Sequence, residues 1–101
     1  SSKDRPVTPE LVKKYICKHF NIKQSDLESS KRSRNLAFPR QIAMYMCRNM
    51  TELSLPKIGE AFGNRDHTTV LHACDKISNE LKTNESLRDV LKEIESAMKE
   101  D

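Results

Sequence analysis

An all-α fold, a compact domain of about six helices containing a helix-turn-helix, is predicted by three features of this 101-residue chain. Apolar residues recur three and four positions apart in every long segment, which is the spacing of one helix face. There are only two glycines among 101 residues, which favours a helical domain. No pair of runs alternates apolar and polar residues as strands would. At 36% hydrophobic and 33% charged residues, the chain can fill one modest core, so a single domain is expected.

Residues 1–7 read as a flexible lead and 8–101 as the domain. Thr8 is the expected N-cap of the first helix, with Pro9 in its first position. Leu11, Val12, Tyr15, Ile16 and Phe20 make its buried face, Lys13, Lys14 and Lys18 point outward, and Asn21 stops it. A short helix over about Gln24 to Ser29 is anchored by Leu27, with Ile22 packing ahead of it. Ser30 to Asn35 is a polar, basic loop. Proline suits a first turn, so the next helix is expected from Pro39 to about Met50 or Thr51, with Ile42, Ala43, Met46, Cys47 and Met50 inward. Gln41 and Arg48, seven apart, share another face, with Arg40 and Met44 close by.

Ser54 caps a fourth helix with Pro56 in its first turn, and Ile58, Ala61 and Phe62 supply its apolar contacts. Gly63 can take the left-handed conformation that ends it. Asp66, as N-cap, opens a fifth helix to about Leu81, whose stripe is Val70, Cys74, Ile77 and Leu81. After a break at Thr83-Asn84, a last helix runs from Glu85 to about Lys99, with Leu87, Val90, Leu91, Ile94 and Met98 inward.

Net charge is only +3, but its distribution is uneven. Residues 31–48 hold five basic residues and no acid, whereas residues 80–101 carry −3. A polyanion would be drawn to one end and repelled from the other. No apolar run approaches a membrane span and no secretory signal pattern is present. Cys17, Cys47 and Cys74 are odd in number, lack CxxC spacing and each fall on an apolar stripe, which reads as reduced core thiols in the cytosol. His19, His67 and His72 have no carboxylate or nucleophile at a useful spacing, Cys17 and His19 face different ways, and there is no glycine-rich phosphate loop. A catalytic reading is therefore set aside.

Three constellations point to nucleic acid. Asp66 can accept from cytosine N4, His67 and Thr68 can donate or meet a thymine methyl, and Thr69 can reach a base or a phosphate. An ordinary capped helix would look similar. Two adjacent β-branched residues, though, are poor choices if only helix stability matters, and this favours the first reading. Arg32 and Arg34 in the basic loop resemble arms that enter a narrow minor groove, although a solvated loop is the commoner fate of such a run. Arg40 and Gln41, at the expected helix start after Pro39, read as a phosphate clamp. Arg48 follows one face-repeat on, and Lys57 and Lys76 extend the footprint. Six or so such contacts would make affinity strongly salt-dependent.

Three blocks carry a resemblance: SKRSRNLAFPRQIAMYMCR (Ser30 to Arg48), SLPKIGEAFGNRDHTTVLHA (Ser54 to Ala73) and the weaker VKKYICKHFNIKQSDL (Val12 to Leu27). They resemble the C-terminal DNA-binding domain of the DnaA family of bacterial replication initiators, whose signature is GxRDHTTVxHA. The resemblance implies a Trp-repressor-like helix-turn-helix that binds double-stranded boxes of the TTATNCACA type at the chromosomal origin. It implies Arg32 in the minor groove, Asp66, His67 and Thr68 on major-groove edges, and Thr69 on the contact surface. Arg40, Gln41, Arg48, Leu55, Pro56 and Lys76 match positions at or near the DNA backbone; spacing alone does not single out Leu55 or Pro56. Asn64 stands where many members have a second glycine, and Arg48 where lysine is also common.

The resemblance further implies that ATP and Mg2+ belong to an AAA+ domain outside this chain, which is expected to need no cofactor and to work with the rest of an initiator in the cytoplasm, at the nucleoid. Acidic phospholipid is a weaker implied partner, permitted by the lysine-flanked first helix. Two other readings share the features: a helical module docking an acidic protein, and a free-standing repressor. The repressor would need a dimer to span two half-sites, and no heptad or apolar seam suggests one, so a monomer is expected.

Overall fold

A computed structural model describes residues 7–100, so most of the expected N-terminal lead lies outside the described residues. Among these described residues are six helices: α1 (Pro9–Phe20), α2 (Gln24–Leu27), α3 (Arg34–Met50), α4 (Leu55–Ala61), α5 (His67–Leu81) and α6 (Glu85–Glu100). Among the described residues there is no strand. The radius of gyration, 12.7 Å, is that of one close-packed domain of this length. Central α3 packs mainly on α5 and α1, α4 packs on α5, and α6 closes the far side against α1 and α5.

Local chemistry set most boundaries. Thr8 Oγ1 accepts from Leu11 N–H at 3.2 Å and Ser54 Oγ from Lys57 N–H at 3.3 Å, so both N-caps form as expected. Asn21 ends α1 at φ 56°, and Gly63 (φ 82°) with Asn64 (φ 59°) makes the left-handed turn between α4 and α5. Asn84 Oδ1 accepts from Leu87 N–H, while the Arg88 guanidinium takes the Leu81 and Lys82 carbonyls at the C-terminal end of α5.

The start of α3 departs from expectation. The helix begins at Arg34, five residues before Pro39, and Pro39 lies inside it. Ser33 O accepts from both Leu36 N–H (3.0 Å) and Ala37 N–H (2.8 Å), which closes the first turn. Burial of Leu36 and of Pro39 itself outweighs the lost proline hydrogen bond, and the carbonyl that bond would have used belongs to exposed Asn35. Met44, expected on the polar side, is 1% exposed, because a central helix is covered on more than one face.

Of the apolar residues expected inward, Val12, Tyr15, Ile16, Ile42, Ala43, Met46, Cys47, Ile58, Phe62, Val70, Cys74, Ile77, Leu87, Leu91, Ile94 and Met98 are buried. Leu11, Phe20, Met50, Ala61, Leu81 and Val90 pack at the margin. All three cysteines are free thiols, and burial pushes Cys47 up to about 12.

Lys13 corrects the expectation that it points outward. It is 3% exposed, with its ammonium 2.8 Å from Glu28 Oε2, bonded to the Ala61 carbonyl and 5.1 Å from the centre of the Phe62 ring. The orphan carbonyl at the end of α4 draws a cation inward. That hydrogen bond from Lys13 holds the Glu28 carboxyl below its ordinary value, against a smaller opposing effect of burial. A depressed carboxyl stabilises the fold above the unfolded value of about 4.3, and that contribution is lost as pH falls through the folded value. Thermal melts of wild type and Glu28→Gln are therefore expected to differ at neutral pH and to converge in acid. A gap independent of pH would contradict this pairing.

Candidate nucleic-acid interface

The opening turn of α5 presents Asp66, His67, Thr68 and Thr69, all exposed, ahead of buried Val70. Asp66 occupies the N-cap position, but its carboxylate does not cap the helix. Thr69 and Val70 N–H groups go to the Asp66 carbonyl instead. The carboxylate accepts from Thr68 Oγ1 at 3.0 Å, and its other oxygen lies 3.2 Å from His67 Nδ1. The Asp66, His67 and Thr68 side chains thus contact one another across this turn. Removing Asp66 disturbs those contacts without removing a helix cap, contrary to the expectation from sequence.

The basic loop reaches this turn through Arg65. Its guanidinium donates to Phe62 O at the end of α4 and to Ser29 O in the loop. Arg32 follows Ser29 by three residues, and its charge, after burial, is the second cause that lowers the Arg65 pKa. Arg32 and the start of α5 accordingly lie at the same end of the domain. Arg34, expected on a flexible arm, is the exposed first residue of α3.

Arg40 does not stand where a phosphate clamp requires. It is 5% exposed, and its Nε, Nη1 and Nη2 donate to the carbonyls of Leu27 (2.7 Å), Lys31 (2.9 Å) and Asp26 (3.1 Å). The helix terminus expected beside it begins at Arg34 instead, so Arg40 serves the loop's conformation. Gln41, next along, borders a groove of about 300 Å3 between α3 and α5 together with Thr69, His72 and Lys76. Its Oε1 is buried with no hydrogen-bond partner among the described residues, so no bond there fixes the amide's orientation. Arg34, Gln41 and Lys76 also border a wider hollow of about 820 Å3.

Arg48 is exposed and lies against the Cys74 thiol, where it offsets part of the upward push of burial. On α4, Pro56 and Lys57 are exposed and Leu55 is half-buried; Lys57 is 3.7 Å from Glu60. The structure therefore gathers Arg32 with the α5 turn, and Gln41, Thr69 and Lys76 with each other.

Residues 9–77 match the family described as bacterial dnaA protein helix-turn-helix. The chain belongs to this DnaA helix-turn-helix family. It is 54% identical over 99 residues to the chromosomal replication initiator protein DnaA of Caldanaerobacter subterraneus subsp. tengcongensis, and 52% identical to those of Thermoanaerobacter sp. X514 and Thermoanaerobacter pseudethanolicus. Each alignment covers 98% of this chain and 22% of the relative, so the chain spans about a fifth of the length of these DnaA proteins.

The helix-turn-helix of this DnaA family member is α4, the Gly63-Asn64 turn and α5. Asn64 accommodates the left-handed conformation, so the missing second glycine leaves the turn intact. Sequence reasoning assigned no role to Arg65 or, at the groove, to His72. His72 lies three residues after Thr69 and four before Lys76, so helical spacing was enough to place it on their face. Spacing gives no such signal for Arg65, whose Ser29 partner lies 36 residues away; its mark in the sequence is its place in GxRDHTTVxHA.

Proposed function

We propose that this domain binds double-stranded DNA sequence-specifically at DnaA boxes of the TTATNCACA type, as the DNA-reading part of a replication initiator. Asp66, His67, Thr68 and Thr69 meet base edges in the major groove, and Arg32 enters the adjacent minor groove. Arg34, Gln41, Arg48, Leu55, Pro56, Lys57 and Lys76 lie along the phosphate backbone and set the register. Arg40, buried in the loop, takes no direct part. ATP and Mg2+ chemistry belongs, on this reading, to other parts of the initiator.

One observation carries the reading: Arg65 brings the loop bearing Arg32 against the turn that opens α5, so a single duplex can meet both. With five basic residues and no acid over residues 31–48, that end also attracts a polyanion.

Titration of a box duplex against a scrambled duplex at physiological salt tests it. Wild type is expected to prefer the box, and Arg32→Ala and Thr68→Ala each to weaken box binding by roughly five- to 150-fold with the fold intact. Equal affinity for both duplexes would point to a module that docks an acidic partner and would end this proposal.

A further inference from the structure

Six consecutive residues, Asp26 to Lys31, offer four carbonyl oxygens to two buried or half-buried arginines. Arg40 reaches in from α3 to Asp26, Leu27 and Lys31. Arg65 reaches in from the other side to Ser29, while its second nitrogen holds Phe62 O and its own N–H donates to Gly59 O at 2.9 Å. Arg32 begins where this grip ends. Arg40 fastens the loop only to α3. Arg65 hydrogen-bonds the loop to the α4–α5 turn, one residue before Asp66, where Glu28 O also lies close to Gly63.

We propose that Arg65 is a positioning residue for sequence reading: by tying Ser29 to the turn before α5, it sets the distance between Arg32 and the side chains that meet the major groove. The inference rests on the DNA-binding function proposed above. Arg65 keeps two of its nitrogens on protein carbonyls and acts through Arg32. Its planar fork spans two carbonyls from different segments, which the single ammonium of a lysine cannot do in the same geometry.

The test separates the two grooves chemically. Replacing adenine by 2,6-diaminopurine in a box duplex adds an amino group to the minor groove and leaves the major-groove edge unchanged; replacing A·T by I·C does the reverse. Wild type, Arg32→Ala, Arg65→Lys, Arg65→Gln and the Arg32→Ala/Arg65→Lys double variant are titrated on each duplex, with urea unfolding to confirm the fold. Arg65→Lys and Arg65→Gln are expected to bind the box about tenfold more weakly and to lose the diaminopurine penalty, while keeping the I·C penalty. The double variant is expected to bind no more weakly than Arg32→Ala alone. A diaminopurine penalty retained in both Arg65 variants, or losses that add in the double variant, would overturn the proposal. A wild type that does not distinguish box from scrambled duplex would instead remove the function on which it rests.

Discussion

Alanine in place of Gly59 is expected to lower the stability of the domain by about 3 kcal/mol or more, and its melting temperature by roughly 12 °C or more. Gly59 is buried in α4, and a β-carbon there would lie 2.1 Å from the carbonyl oxygen of Arg65. The obstacle is backbone, not the end of a flexible side chain, so relief requires moving the start of α5. That puts the cost at the upper end of the usual overpacking range. Gly63→Ala meets a similar obstacle, with Glu28 O 2.2 Å away, and adds the strain of a positive φ. Asn64→Gly, at a position already left-handed, is expected to change stability by less than about 0.5 kcal/mol. Circular dichroism melts decide it: a Gly59→Ala protein melting like wild type would mean that α4 and the α5 turn are not in contact.

Arg40→Ala is expected to cost about 3 kcal/mol of stability, whereas Gln41→Ala and Arg48→Ala leave stability nearly unchanged and weaken duplex binding. Truncating Arg40 removes a buried cation from three carbonyls and takes the side-chain donor from Leu27 and Lys31, while the Asp26 carbonyl keeps Ser29 N–H and Oγ. Lysine is a poor rescue, because one ammonium cannot reach all three. Among the surface residues, Arg48→Ala also makes the log–log salt dependence of binding shallower by about 0.9, while the neutral Gln41 leaves that slope alone. Urea unfolding together with titrations at several salt concentrations separates the two kinds of effect. An Arg40→Ala protein as stable as wild type but weaker on DNA would make Arg40 a phosphate ligand after all.

These two experiments follow the line between what was legible and what was not. The stop at Asn21, the caps at Thr8 and Ser54, the Gly63-Asn64 turn and the inward stripes of α5 and α6 all depend on interactions within a few residues. The sequence shows them because spacing encodes them. The start of α3 was misplaced since proline's local preference competes with the burial of Leu36 and Pro39, and burial is not a local quantity. The first turn of α5 was identified as an exposed cluster, but the partner of the Asp66 carboxylate was not: a side-chain hydroxyl competed with the backbone for it.

By itself, the order of residues determined six helical segments, the left-handed turn between α4 and α5, and a basic stretch beside an exposed helix start. Only the tertiary structure decided which cations face solvent. Lys13, Arg40 and Arg65 turn inward because each finds carbonyl oxygens on segments as far as 48, 14 and 36 residues away. A desolvated cation is tolerated only where such acceptors converge, and convergence exists only once the chain has folded.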